Sequence, residues 1–222
     1  MTTRACGSRR SPAVAAAAAL ACSLAGAALA PPVAAMALFD ADREFALPSP
    51  AVFPRFVDMV QRYVGQYQSM TSACTGGSSP FCDYIARWAQ LIREVEPLGR
   101  QQQIEQVNAR FNSFAYITDW QNWNLEDYWA TPLQFYDVDG DCEDYAIAKY
   151  YTMRGLGVST DVMRIVVLFD ENLQLHHAIL AINTGSDVLV LDNQISGVVS
   201  ARSIAHYTPV MSINETGAWR HR

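Results

Sequence analysis

Positive charge is scarce in this chain. Its 222 residues hold one lysine, Lys149, and only 16 basic side chains against 22 acidic ones, for a formal net charge of −6. An acidic protein with so few cations is a poor ligand for nucleic acid or for an anionic membrane surface, so neither is expected as a partner. Histidine is also rare: His176, His177, His206 and His221 are the whole supply. Any imidazole chemistry must draw on these four. Beyond the N-terminus no apolar run is long enough to span a bilayer. No internal repeat is present, and low complexity is confined to the first 35 residues. What remains is half apolar residues, enough for the core of one domain of ordinary size.

The first 35 residues read as an export signal. Arg4, Arg9 and Arg10 form a positive start, an alanine-rich apolar run extends from Pro12 to Ala30, and small residues offer cleavage after Ala35 or Ala37. Loss of this leader removes three arginines and no acids, leaving 13 basic residues against 22 acidic ones and a charge of about −9. The expected location is the periplasm. A lipid anchor on Cys22 or an uncleaved membrane anchor are the alternatives. Residues 36–48 read as a flexible lead-in and 49–222 as the folded domain, with a helical part over 49–112 and a core over 113–222.

Compartment sorts the five cysteines. Cys6 and Cys22 lie in the leader. Cys74 and Cys82 flank the flexible stretch Thr75-Gly76-Gly77-Ser78-Ser79-Pro80, and an oxidising compartment would close them into a disulfide. Cys142 is left as the odd thiol.

Helical periodicity runs from Ser49-Pro50 to about Met70, from Phe81 to Val95 and from about Arg100 to Asn112. Between Asn112 and Thr131 the texture changes. Asp119, Trp120, Trp123, Asn124, Tyr128 and Trp129 crowd together, as in a lid over a core or the wall of a cleft. After Gly155 the chain becomes strand-rich: Met163–Phe169, Leu175–Ile182, Asp187–Asn193 and a further strand near Val210–Ile213. Helices first and strands afterwards make an α+β pattern, with a helix packed on an antiparallel sheet.

The pivot is Asp139-Gly140-Asp141-Cys142-Glu143-Asp144-Tyr145. Gly140 breaks the chain, Asp141 is a good N-cap, and no Gly or Pro follows Cys142 until Gly155. Cys142 then sits in the first turn of a helix, where unpaired N–H groups and the helix dipole favour a thiolate. A small buried cysteine packed like an alanine is the plain alternative.

A cysteine nucleophile needs a base, and usually a group that orients the base. If Asn183–Ser186 form a four-residue loop, Ile182 pairs with Asp187 and His177 falls opposite Asp192. Only one of His176 and His177 can face Asp192, because strand side chains alternate. Other loop lengths shift this match, and structural histidines remain the alternative.

The block Asp141-Cys142-Glu143-Asp144-Tyr145-Ala146-Ile147-Ala148-Lys149-Tyr150, preceded by Asp127-Tyr128-Trp129-Ala130-Thr131-Pro132, resembles the bacterial transglutaminase-like cysteine peptidases. Leu156-Gly157-Val158, His177-Ala178-Ile179-Leu180-Ala181, Val190-Leu191-Asp192-Asn193 and Tyr207–Glu215 follow in the family's order. The likeness covers about Phe111 to Trp219. It implies a papain/transglutaminase-like α+β fold and a Cys-His-Asp triad of Cys142, His177 and Asp192. It also implies a calcium ion beside the nucleophile. Asp141 and Glu143 are the ligand positions that the motif supplies, with Asp139 and Asp144 as further candidates; all are hard oxygen donors of the kind Ca²⁺ takes. The family implies cleavage of the N-terminal region of a large secreted adhesin, with control of biofilm attachment, and an inner-membrane regulatory receptor as a second partner. Acyl transfer to an amine on the same triad and a non-catalytic binding module are the rival readings.

Overall fold

The computed structural model describes residues 44–74 and 80–222, all within one compact unit of the chain. The expected leader over 1–35, most of the lead-in and the Gly/Ser loop over 75–79 lie outside the described residues. Six α-helices are described: α1 (Pro54–Ala73), α2 (Pro80–Val95), α3 (Arg100–Phe111), α4 (Asp119–Trp123), α5 (Pro132–Val138) and α6 (Cys142–Gly155). Among them, no helix is long and apolar enough to cross a membrane. Seven strands follow the same numbering: β1 (Glu44–Ala46), β2 (Met163–Asp170), β3 (Leu175–Asn183), β4 (Val188–Leu191), β5 (Val199–Ser200), β6 (Tyr207–Ile213) and β7 (Ala218–His221). They form one antiparallel sheet in the order β1-β7-β6-β2-β3-β4-β5.

The helix α6 is the central element. Every residue from Asp144 to Met153 is buried, which a helix can tolerate only where it is packed on all sides. The small residues Ala146 and Ala148 let it lie close to its neighbours, while Tyr151 meets Tyr63 of α1 at 4.5 Å between ring centroids. Trp88 of α2 donates its indole N–H to Thr152 Oγ1 at 2.8 Å. Alternation along β2 and β3 divides the sheet's two faces. Met163, Ile165, Leu180 and Ile182 join the helical core. Val166, Leu168, Ile179 and Ala181 pack under Ala201, Ile204 and Tyr207 on the other face.

Three sequence expectations change. Ser49 does cap a helical turn, but that turn is a 3-10 segment over Pro50–Val52, and the long helix begins afresh at Pro54. Glu44–Ala46, read as part of the flexible lead-in, pair with β7 as an edge strand. The reason is tertiary: Glu44 forms a 2.8 Å ion pair with Arg164, whose side chain is completely buried against the Trp219 ring. An unpaired guanidinium there would be costly, so the strand is held in place. The third change concerns the β3–β4 hairpin. Asn183 pairs with Val188 and Leu180 with Leu191, so the loop is Thr184–Asp187 and the register lies two residues from the expected one. Thr184 and Asp187 close that loop with a backbone hydrogen bond of 2.8 Å. A shift of two preserves the face, and Asp192 stays on the side that His177 occupies.

Candidate active site

The site is built at the N-terminus of α6. Gly140 precedes it for a steric reason: a Cβ at this position would collide with the Asp144 carboxylate. Asp144 turns back over the helix start and accepts from Asp141 N–H at 3.4 Å and Ala130 N–H at 2.7 Å. The result places Cys142 in the first turn, half-buried and unpaired. Its Sγ contacts Glu143 Oε2 at 3.2 Å. It also meets the backbone N–H of Ala178, which sets the thiol at the His177–Ala178 peptide.

His177 and Asp192 are brought together. His177 Nε2 lies 2.9 Å from Asp192 Oδ1, with both side chains almost wholly buried. Asp192 also accepts from Gln194 N–H at 2.8 Å and from the Tyr207 hydroxyl at 2.7 Å. Burial opposes its charge, but the His177, Gln194 and Tyr207 hydrogen bonds outweigh it and hold the carboxyl below its ordinary range. An ionised carboxylate only accepts, so His177 Nε2 carries the proton and Nδ1 is left as the basic nitrogen. The Gln194 amide reaches that nitrogen at 3.4 Å. His176 turns the other way, to the surface beside Phe169, as strand alternation requires.

The carboxylates beside the thiol form three overlapping groups. They are Asp141 with Cys142 and Glu143, Asp119 with Asp141 and Asp144, and Asp119 with Asp127 and Glu143. In each, the donor atoms lie within 4.8 Å of one another. Asp139 joins none of them. It caps the end of α5 with a positive φ of 61°. Asp119 and Asp127 come instead from the aromatic-rich segment. Their role was hidden in the sequence, because an acid after Thr118 reads as an ordinary first-turn residue of α4.

Burial raises Asp119, Asp141, Glu143 and Asp144 above their ordinary values. Burial, then the neighbouring acids, push Glu143 and Asp144 well above the usual carboxylate range. Burial is also the main force on Asp141, and on Asp119, pushed up to about 6. The thiol of Cys142 is raised as well, first by burial and then by the Glu143 charge. Asp119 Oδ1 and Asp141 Oδ1 are buried with no hydrogen-bond partner. Orphaned oxygens on like-charged carboxylates are what a hard divalent cation would satisfy. The residues therefore fit calcium, with Asp119, Asp141 and Asp144 as an all-oxygen set.

A model of the bacterial transglutaminase-like cysteine proteinases, BTLCP, matches residues 81–221. The chain belongs to this family. It is accordingly a cysteine protease, with the α+β fold described above. The LapG structure of Legionella pneumophila is similar at 33% identity and a TM-score of 0.58, covering 65% of this chain and 81% of that one. The calcium-bound form of the same protein is similar at 31% identity and a TM-score of 0.59, covering 69% and 86%. An EGTA-treated form matches at 33% identity and a TM-score of 0.58. No curated protein sequence matches at a significant level. Cys74 and Cys82, the expected pair, are joined in a disulfide.

Proposed function

We propose that this BTLCP protease is a periplasmic, calcium-dependent endopeptidase that cuts the N-terminal region of a large surface adhesin and so controls its release. The observation that carries the chemistry is the His177–Asp192 pair beside a thiol in the first turn of α6. His177 Nδ1 takes the Cys142 proton while Nε2–H stays on Asp192. The thiolate attacks a peptide carbonyl, and first-turn N–H groups of α6, which lack intrahelical partners, stabilise the oxyanion. His177 then protonates the leaving amine. Water attacks the thioester, returns a proton to His177 and frees the acid.

Calcium suits Asp119, Asp141 and Asp144, with Glu143 at the rim. Bound there, its charge would offset the acids that otherwise oppose a thiolate. Support for this comes from the two orphaned oxygens and from the similarity to a calcium-bound LapG. Export follows from the leader over residues 1–35. An inner-membrane receptor that sequesters the protease is the expected regulatory partner.

The test is direct. Leaderless protein is incubated with N-terminal fragments of candidate adhesins, with calcium or with EGTA, alongside Cys142→Ala. Discrete cleavage that needs both calcium and Cys142 supports the proposal. Cleavage by Cys142→Ala refutes the triad, and cleavage undiminished by EGTA refutes the metal requirement. A labelled amine in the same reaction detects transfer in place of hydrolysis.

A further inference from the structure

Lys149, the sole lysine, is left without a task by the chemistry above. It lies two helical turns after Cys142 on α6, so the two residues share a face of that helix. Its side chain is completely buried. Nζ donates to Asn108 Oδ1 at 2.8 Å and to Asn112 Oδ1 at 2.7 Å. Asn108 lies in the last turn of α3 and Asn112 caps its end, one turn further on. With its oxygen turned to Lys149, the Asn112 amide must present its NH₂ group the other way. That group donates to Asp192 O at 2.7 Å and Ile195 O at 3.2 Å. A chain of hydrogen bonds thus runs from the nucleophile's helix through Asn112 to the backbone of Asp192.

A buried ammonium is expensive, and an apolar side chain of similar size is often as stable. Burial accordingly pulls Lys149 down to about 7, against the opposing pull of the Asp192 charge. A residue that only filled space would not need the amine. One of its donors holds Asn112, whose amide grips the segment after β4. That segment, Asp192–Ile195, carries the Asp192 carboxylate and Gln194, which both reach the His177 ring nitrogens.

We infer that Lys149 and Asn112 are positioning residues, a buried clamp that ties α6 to the Asp192–Ile195 segment and thereby sets the Asp192–His177 pair against Cys142. The inference rests on the triad proposed above. Lys149 and Asn112 touch neither the thiol nor the substrate and act through the Asp192–Ile195 segment. Outer partners of this kind commonly alter function by about 10–100-fold when removed, and displacement of a catalytic group by about 1 Å can cost about 100-fold.

The readout is the rate at which iodoacetamide alkylates Cys142, followed by mass spectrometry at that site. It needs no substrate and reports the Cys142–His177 pair. Asn112→Asp keeps the acceptor for Lys149 but removes the amide donors. Lys149→Met breaks the same link from the other end. The expected result is alkylation at least about tenfold slower than wild type in both, per folded molecule, with His177→Ala as the floor. A purely structural role would lower the melting temperature and leave that rate unchanged. Asn112→Asp or Lys149→Met within twofold of wild type, while His177→Ala is slow, overturns the clamp alone. His177→Ala at the wild-type rate overturns the triad itself. A second readout does not depend on either clamp variant. Protein labelled with ¹⁵Nζ-lysine gives one lysine side-chain resonance, which Asp192→Asn should move; an unmoved resonance overturns the coupling.

Discussion

Calcium binding should weaken as pH falls, and the structure sets how much. The groups concerned are Asp119, Asp141, Glu143 and Asp144, all raised above their ordinary values. A carboxylate raised in the folded state binds more protons than in the unfolded one. Its contribution is therefore present below the unfolded pKa and lost as pH rises through the folded one. For Asp119 that window runs from the ordinary 3.8 to about 6. The full shift corresponds to about 3 kcal/mol, reduced to about 1–2 by solvent screening. Without a cation, the protein should thus melt at a lower temperature at about pH 7 than at about pH 5. Calcium reverses the sign, because it must displace those protons. From Asp119 alone, affinity should fall about tenfold between about pH 7 and about pH 5, and the other acids add to this. Calcium at about 100 times its Kd stabilises by about 2.7 kcal/mol at about pH 7. For a chain of this size that is a rise of about 5–11 °C in Tm. At the same calcium concentration, about half that stabilisation should remain at about pH 5. Thermal melts with calcium or EGTA at both pH values measure all of this. Equal calcium shifts at the two pH values, or none at either, would rule out a calcium site on these acids.

Four further predictions concern single sites. Cys142→Ala should abolish alkylation and proteolysis while leaving Tm within about 2–4 °C of wild type, since the half-buried thiol loses little packing. Tyr207→Phe removes one hydrogen bond from Asp192 and should raise that carboxyl's pKa; an acid limb of the alkylation profile that fails to move toward higher pH counts against it. Glu44→Ala leaves the buried Arg164 guanidinium unpaired and should cost about 3–5 kcal/mol by urea unfolding, most of it recovered when Arg164→Met is added. Asp139→Ala should leave calcium affinity within about twofold, because the residue lies outside every carboxylate group; isothermal titration decides this.

Much of the site is legible in the residue order. The Asp141-Cys142-Glu143 block, the absence of helix breakers up to Gly155 and the pairing of Cys74 with Cys82 are local or compositional facts, and they needed no fold to be read. The α+β order was equally plain, because period-3.6 segments precede period-2 segments along the chain. A four-residue loop set His177 opposite Asp192, and the family resemblance chose between the two histidines; the observed register is displaced by two residues. The two side chains still meet, because side-chain alternation has period 2 and a shift of two restores the face.

Tertiary structure alone decided the rest. Asp119 comes to Asp144 from 25 residues away only because the Tyr116–Ile117 segment bridges to Gly140, and no local pattern marks such a contact. Asp139, so close to Cys142 in sequence, is turned out of the cluster by a positive φ at the end of α5. Glu44 became a strand residue because a buried arginine far along the chain needed its charge. Lys149 stood out in sequence only as the sole lysine, and packing showed it buried and bound to two asparagines. Which groups could do chemistry was readable along the chain, since that is a matter of residue type and local backbone. Which of them meet, and which carry one another's charge, depended on burial and long-range register, which local sequence does not encode.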